Sequence, residues 1–354
     1  MGLHICGIGT ALPSHAISQD WACALAQRGI TDKQCRLLAS IYRKSTIERR
    51  YSVLLNEENG ATSFYNLADT SEPPGTQRRM ERYAVAAVPL AIRAARQALE
   101  NSGCEAQIIT HLITVSCTGF FSPGLDQELI EAFHLSRAVK RVNIGFMGCH
   151  AALNALQVAL SIVEAQAEAT VLLCATELCS LHFQPGWNPD TVLPNALFAD
   201  GSAAMVGRRS RLGEAWTCQA TTSYLLPDSS ADMTWRISDH GFRMTLSRRV
   251  PMLIAENIRP WLEQWLSTRA LTIADIGTWA VHPGGPGILD AVSTGLNLPD
   301  SALSVSRTVL SHYGNMSSPT ILFILDRLHQ APSPLPCVML AFGPGLAMEA
   351  ALLG

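Results

Sequence analysis

The chain has 354 residues, a formal net charge of −3 and a pI of about 6.4. This length predicts two domains or one large one. The sequence has no basic cluster, which excludes the phosphate-neutralising surface on which nucleic-acid binding depends. Charged residues make up only 16% of the chain, and so low a fraction indicates that part of the surface is buried in an oligomer.

The sequence also lacks the marks of export and of membrane insertion. It has no charged start followed by an apolar run, and no apolar stretch of the roughly 20 residues that span a bilayer. We therefore expect a cytoplasmic protein without a membrane span. The 10 cysteines form no CxxC pair, so we expect reduced core thiols, and neither a metal site nor an organic cofactor.

The predicted elements alternate between short β-branched apolar runs, which are typical of buried strands, and runs of good helix formers. In the first half, strands are predicted at 3–8, 111–116 and 169–175, and helices at 78–100, with a kink at Pro89, and at 151–163. In the second half, strands are predicted at 278–281 and 338–342, and helices at 250–265, 288–296 and 317–328. Surface loops are predicted at 56–75 and 226–232. The alternation predicts a layered α/β fold, and the similar placement of 198–206 and 342–348 indicates a weak internal duplication.

Cys149 follows a predicted strand and opens a buried helix. The flanking Gly145 and Gly148 permit a tight strand-to-helix turn, and the unpaired N–H groups of a helix start favour thiolate over thiol. These features suit a nucleophile, although a buried cysteine is more often a small hydrophobic residue. The adjacent His150 points in a different direction from Cys149 on a helix and is interpreted as structural.

His282 ends a predicted strand and precedes a small-residue segment, 283–287, while Asn315 lies just before an apolar helix. Taken singly, His282 is better explained as a core histidine and Asn315 as a helix cap or turn residue. Together with Cys149 they form a chemical set. A thiolate accepts an acyl group, and an imidazole N–H and an amide N–H stabilise the enolate that forms when a malonyl thioester loses carbon dioxide.

Several segments resemble type III polyketide synthases, the family that includes chalcone and stilbene synthases. The matching segments are Gly148-Cys149 before the helix, 196–201 (ALFADG), 279–290 (WAVHPGGPGILD), 314–318 (GNMSS) and 342–346 (FGPGL). Residues 232–241 are more similar to bacterial members. The resemblance implies a five-layered αβαβα thiolase-like fold with two similar halves, 1–218 and 219–354, a homodimer, and acyl-CoA and malonyl-CoA as substrates.

The resemblance also implies roles for individual residues. Cys149 would carry the acyl group and form an ion pair with His282, and His282 and Asn315 would promote decarboxylation. Phe198 would be a gate between the coenzyme A tunnel and the reaction cavity. Lys44 and Arg43, with the backbone around Gly287, would bind coenzyme A. The cavity would be lined by Cys117, Cys179, His182, Trp235, Met244 and Ser317.

Several of these cavity residues differ from the plant pattern. Trp235 replaces a glycine and Met244 a phenylalanine, so the resemblance implies a starter other than the plant ones, with fatty acyl groups as the bacterial preference. The predicted reaction is repeated condensation followed by ring closure to a resorcinol, phloroglucinol or pyrone.

Two alternatives stay open. The first is a single-round ketoacyl synthase III-like enzyme, which needs a basic docking patch for an acidic carrier protein, and the sequence shows none clearly. The second is a thiolase-fold protein that only binds acyl ligands, against which the presence of all three polar residues argues.

Overall fold

The computed structural model describes residues 2–57, 60, 64–65 and 72–354, so much of the loop predicted at 56–75 lies outside the described residues. The strands are β1 (Leu3–Ala11), β2 (Ala16–Ser18), β3 (Arg49–Tyr51), β4 (His111–Ser116), β5 (Lys140–Gly145), β6 (Thr170–Leu178), β7 (Asp200–Arg209), β8 (Thr217–Leu225), β9 (Met233–Ser238), β10 (Gly241–Leu246), β11 (Thr278–Val281), β12 (Cys337–Gly343) and β13 (Ala347–Leu353). The α-helices are α1 (Gln19–Ala26), α2 (Asp32–Lys44), α3 (Thr76–Ser102), α4 (Leu125–Phe133), α5 (Ala151–Ala165), α6 (Pro189–Leu197), α7 (Val250–Ser267), α8 (Pro286–Leu296), α9 (Ser304–Tyr313) and α10 (Pro319–Gln330).

The main sheet has the strand order β11-β12-β13-β8-β1-β7-β6-β4-β5. Its two halves meet where β1 pairs with β8 at only two positions, Leu3 with Cys218 and His4 with Thr217. Helices α5 and α10 pack between the two halves, α3 covers the outer face of one half, and α7 and α8 cover that of the other. This succession of helix, sheet, helix, sheet and helix confirms the predicted α/β, thiolase-like fold.

Small residues allow the layers to approach closely. Every residue of β4 and of β6 is buried, and the helix between the sheet halves, α5, is rich in buried alanine. On the outer layer, a Cβ atom added to Gly9 of β1 would lie 2.3 Å from the carbonyl oxygen of Ala94 in α3. A larger side chain at this position would push the helix off the sheet.

Most predicted elements have the expected type, and the differences have local causes. Strands β4 and β11 have the predicted bounds, and α3 continues through Pro89. The helix predicted from residue 317 begins at Pro319, because Ser317 has a left-handed backbone conformation with φ of 59°.

The segment 226–232 connects β8 with β9 as predicted. The division of the chain at residue 218 falls inside β8 and stays a prediction. Among the described residues, no helix combines the length and the apolarity needed to cross a bilayer.

Candidate active site

Cys149 lies in a single 3-10 turn, Gly148–His150, between β5 and α5. The turn requires glycine at 148, where φ is 81° and an added Cβ atom would lie 2.5 Å from the Cδ atom of Pro344. The predicted tight turn at the start of a buried helix is therefore present. His150 is turned away into the core, where its Nδ1 atom lies 2.7 Å from Oδ1 of Asn154.

His282 follows β11 directly and is only 1% exposed. Its backbone N–H donates to the carbonyl oxygen of Leu340 in β12 at 2.8 Å, which fixes the residue at the end of the sheet. Neither ring nitrogen has a hydrogen-bond partner among the described residues. A buried polar group left unpaired costs about 1–3 kcal/mol, so the imidazole is available to pair with a bound ligand.

Asn315 connects the segment after His282 to the segment around Cys149. Its Nδ2 atom donates to the carbonyl oxygen of Gly284 at 3.3 Å, and its Oδ1 atom accepts from the backbone N–H of Ser317 at 2.8 Å. Ser317 and Cys149 border the same small cavity, and the Asn315 and Ser317 side chains favour the thiolate form of Cys149. The structure thus places the predicted amide near the predicted thiol. Asn315 also contacts the carbonyl group of Gly284, which lies two residues after His282.

Burial dominates the proton affinities of this site. It raises the pKa of Cys149 to about 11, although hydrogen bonds from Ser317 and Asn315 favour the thiolate. It also lowers the pKa of His282 to about 3, with a further contribution from His150. Both shifts favour a neutral thiol beside a neutral imidazole. Desolvation therefore outweighs the helix-start effect expected from the sequence, and the implied ion pair stays a prediction.

Glu177 is a buried carboxylate that the sequence analysis did not assign to the site. It accepts hydrogen bonds from Thr118 Oγ1 at 2.6 Å, from Ser318 Oγ at 2.7 Å and from the backbone N–H of Cys117 at 3.0 Å. Burial raises the pKa of Glu177, and these donors act against that shift. The sequence signal that could have indicated Glu177 was an acidic residue shortly after the predicted buried strand 169–175. This residue lies at the same edge of the sheet as Cys117, because β4 and β6 are parallel neighbours.

Cys149 borders a small cavity, which adjoins a larger one. The smaller, of about 20 Å³, is bordered by Cys149, Cys117, Ser317 and Pro344 among others. The larger, of about 130 Å³, extends away from the thiol toward α1 and α2. Both cavities are bordered by four of the predicted cavity residues, namely Cys179, Phe198, Trp235 and Met244.

Trp235 of the β9–β10 hairpin borders both cavities and forms part of the wall between them. The Trp235 indole donates to the carbonyl oxygen of Cys117 at 2.8 Å. Its ring meets His182 edge-on at 5.4 Å, and His182 stacks on Phe242 at 4.1 Å. His182 is held by Thr118 O at 2.7 Å and by the Phe242 N–H at 2.9 Å, so it borders the larger cavity in one fixed orientation.

Phe198 is positioned by backbone contacts rather than by its ring. It forms an isolated β-bridge with Asn315, and the Arg50 guanidinium donates to its carbonyl oxygen at 2.8 Å. The Phe198 side chain borders both cavities. This bridge joins the predicted gate directly to Asn315, the residue that carries the predicted catalytic amide.

The residues predicted to contact coenzyme A lie apart from the buried residues around Cys149. Lys44 and Arg43 are exposed near the end of α2. Gly287 lies in the first turn of α8, where an added Cβ atom would make only ordinary contact with Pro251, at 3.7 Å. Among the described residues, no group of three or more His, Cys, Asp or Glu side chains is placed to hold a metal ion.

Sequence models of one family match the chain twice. The N-terminal domain of the chalcone and stilbene synthases matches residues 3–209, and the C-terminal domain matches residues 217–354. The chain belongs to the chalcone and stilbene synthase family. This membership confirms the resemblance and identifies the protein as a type III polyketide synthase, an acyl-transferring enzyme.

Curated relatives of this type III polyketide synthase are bacterial as well as eukaryotic. It is 30% identical over 356 residues to the alpha-pyrone synthesis polyketide synthase-like Pks18 of Mycobacterium tuberculosis, covering 98% of this chain and 89% of the relative. It is 31% identical over 361 residues to the 1,3,6,8-tetrahydroxynaphthalene synthase of Streptomyces peucetius, covering 99% of this chain and 93% of the relative.

Solved structures extend the likeness to the fold. PKS-I of the brown alga Ectocarpus siliculosus superposes with a TM-score of 0.94 at 32% identity, over 99% of this chain and 98% of that one. The C-terminal type III domain of the Dictyostelium hybrid Steely1 superposes with a TM-score of 0.89 at 26% identity, over 100% of this chain and 99% of that one.

Proposed function

We propose that this type III polyketide synthase takes a fatty acyl starter onto Cys149, extends it several times with malonyl-CoA, and releases a cyclised resorcinol, phloroglucinol or pyrone. One observation carries the proposal. The Cys149 thiol borders a small cavity together with Ser317, whose backbone N–H donates to the Asn315 amide oxygen, and this cavity adjoins a larger one. We call Cys149, His282, Asn315 and Ser317 the catalytic floor. These groups suit thioester chemistry, and the larger cavity offers room for a growing chain.

The chemistry follows from the groups on the floor. The Cys149 sulfur attacks the starter thioester, and the coenzyme A thiol leaves with the proton. Malonyl-CoA then loses carbon dioxide, and its enolate oxygen accepts hydrogen bonds from a neutral His282 N–H and from Asn315 Nδ2. The enolate carbon attacks the acyl carbon, a carbon–carbon bond forms, and the Cys149 sulfur departs. Transfer of the longer chain back to Cys149 permits another cycle.

The wall residues support the choice of a fatty acyl starter. The larger cavity is bordered mainly by apolar and aromatic side chains, including Leu25, Leu54 and Phe183. An acyl chain has no polar group to satisfy there, so burying it is favourable by about 0.8 kcal/mol for each CH₂. We assign Lys44 and Arg43 to the phosphates of coenzyme A, because both cations are exposed on a helix whose inner face reaches this cavity.

The proposed homodimer is supported by an exposed edge of the main sheet. Strand β5 is the last strand in the sheet order, and four of its six residues are exposed. Val142 on this strand, together with the nearby Met147 and Phe120, leaves about two fifths of its surface open to solvent. An open edge strand beside apolar side chains suits pairing with a second copy.

The test is an incubation of the purified enzyme with dodecanoyl-CoA and labelled malonyl-CoA, with products identified by mass spectrometry. The proposal expects several extensions and a cyclic product. A single extension would favour the ketoacyl synthase III-like alternative. No release of carbon dioxide with any starter would favour the acyl-binding alternative and reject the proposed reaction.

A further inference from the structure

Helix α2 has one face toward the cavities and the opposite face toward solvent. On its inner face, Leu38 and Tyr42 are buried, and Tyr42 borders the larger cavity. The helix packs on α1 and α6, which also contribute to the walls of that cavity. Its outer face therefore lies on the surface just behind the substrate space.

The outer face of α2 is strongly cationic. It presents four exposed cations, Lys33, Arg36, Arg43 and Lys44, around Leu37, which is 52% exposed. At 3.6 residues per turn these five residues fall within an arc of about 120°. We call this set the cationic face of α2.

The cations of this face make no ion pair with any residue that the structure describes. The ion pairs found among the described residues join other arginines to acidic partners, and none includes a cation of this face. The acidic residue of the helix itself is Asp32, in its first turn. Four cations against this one acidic residue repel one another, which makes an anionic partner favourable.

The dimensions of the face suit a protein better than a small anion. From Lys33 to Lys44 the helix rises about 16 Å, several times the width of a phosphate group. An exposed leucine lies between the two pairs of cations along the helix axis and offers an apolar contact that a phosphate cannot use. A partner helix with acidic residues around an apolar one would be complementary in both respects.

We infer that the cationic face of α2 docks an acidic acyl carrier protein, which delivers the starter to Cys149 on its phosphopantetheine arm. This inference rests on the proposed function and names a donor for it. The sulfur–carbon bond to Cys149 forms, the thioester bond to the carrier breaks, and the proton of the Cys149 thiol passes to the carrier thiol. Because coenzyme A contains the same phosphopantetheine arm, one tunnel serves both donors.

The sequence concealed this surface because its cations are separated along the chain. Between Arg36 and Arg43 lie six residues without a basic side chain. Only the helical turn places Lys33 and Lys44, 11 positions apart, on the same side of the molecule. The basic docking patch that the sequence analysis did not find is therefore a property of the folded helix.

The experiment measures the rate at which Cys149 becomes acylated, by mass spectrometry of the intact enzyme in the absence of malonyl-CoA. The two donors are dodecanoyl-CoA and a dodecanoylated bacterial fatty-acid carrier protein of acidic pI. The test variant is Lys33→Glu with Arg36→Glu, which leaves Arg43 and Lys44 intact for coenzyme A. The inference expects at least a tenfold slower acylation from the carrier, and a rate from dodecanoyl-CoA within about twofold of the wild type.

A matched control reverses two exposed charges at remote sites, with Arg211→Glu and Arg269→Glu. Arg211 lies just beyond β7, at the end opposite Asp200 and about 30 Å along the strand from it. This control should change neither rate by more than about twofold. Raising the salt from about 0.05 M to about 0.3 M should slow carrier-dependent acylation of the wild type much more than that of the test variant.

Two outcomes would reject the carrier and leave the proposed function intact. One is acylation by dodecanoyl-CoA but not by the carrier. The other is an equal loss with both donors in the test variant, which would assign the face to the phosphates of coenzyme A. If neither donor acylates the wild-type enzyme, the proposed function itself fails.

Discussion

The catalytic floor and the hairpin wall of the substrate space are built in different ways. The floor consists of Cys149, His282, Asn315 and Ser317, which lie in turns after strands or between helices. Hydrogen bonds that involve backbone groups fix His282, Asn315 and Ser317. The wall carries Trp235 and other large side chains of β9 and β10, which form a two-stranded sheet of their own.

Because of this difference, the thioester chemistry and the choice of product depend on separate parts of the molecule. A shift of any floor residue would disturb backbone contacts shared between both halves of the chain, so the thioester chemistry is tied to the fold. The wall contributes mainly shape, and its strands are not hydrogen-bonded to the main sheet. The size of a wall side chain can therefore change with little effect on the floor.

The strongest test of the floor is Cys149→Ala, which removes the sulfur that forms the acyl thioester. We expect condensation of labelled malonyl-CoA with dodecanoyl-CoA to fall at least 1,000-fold, or about three orders of magnitude. Cys179→Ala is the matched control, because Cys179 is also a buried thiol beside both cavities. Retained condensation in Cys149→Ala, or an equal loss in the control, would contradict the assignment of the nucleophile.

His282→Ala should lower the release of carbon dioxide from malonyl-CoA by about 100-fold to 1,000-fold, because one donor to the enolate oxygen is lost. His282→Gln, which retains an N–H donor, should recover part of this loss. Carbon dioxide release from Cys149→Ala serves as the comparison, since that variant keeps both donors. An unchanged rate in His282→Ala would remove the imidazole from the decarboxylation step.

The wall is tested with Trp235→Ala, which opens the boundary between the two cavities. We expect longer or differently cyclised products by mass spectrometry, while the rate of malonyl-CoA decarboxylation stays within about threefold of the wild type. Ile237→Ala is the control, because this residue lies on the same strand but is 60% exposed. Unchanged products together with impaired decarboxylation would show that the wall and the floor are not separable.

The smallest expected effect concerns Asp200, a buried carboxylate that accepts hydrogen bonds from Ser180, which borders the larger cavity, and from Val53. Burial raises its pKa from 3.8 to about 6, so the folded protein keeps this proton where the unfolded chain has lost it. This retained proton stabilises the folded state below about pH 4, and the stabilisation is lost as the pH rises through about 6. Relative to Asp200→Asn, the free energy of unfolding should fall by about 3 kcal/mol between about pH 4 and pH 7.

Denaturant unfolding at a series of pH values would measure this dependence. The informative quantity is the slope of the free energy of unfolding with pH. The constant difference between variant and wild type also includes the changed hydrogen bonds to Ser180 and Val53. The exposed Asp300→Asn provides a control, which should run parallel to the wild type. A parallel curve for Asp200→Asn would show that Asp200 does not titrate as proposed.

The sequence predicted most of the fold because the signals are local. Strands such as β4 are apolar throughout and β-branched, and α5 is apolar on nearly all sides, so their type follows from composition and length. The start of α10 was misplaced because the left-handed conformation of Ser317 depends on its contacts in the site. The apolar pattern of this segment does not indicate that one residue has a left-handed conformation.

The sequence by itself determined the fold class, the family and the identity of the thiol, imidazole and amide, because these depend on periodicity and on short motifs. Only the tertiary structure decided which groups meet. Burial, which is a property of packing, raises the pKa of Cys149 and so opposes the thiolate that a helix start favours. Residues distant in sequence, such as Glu177 and Ser318, became partners because strands and helices from both halves end at one edge. The cationic face of α2 likewise exists only once the helix has formed.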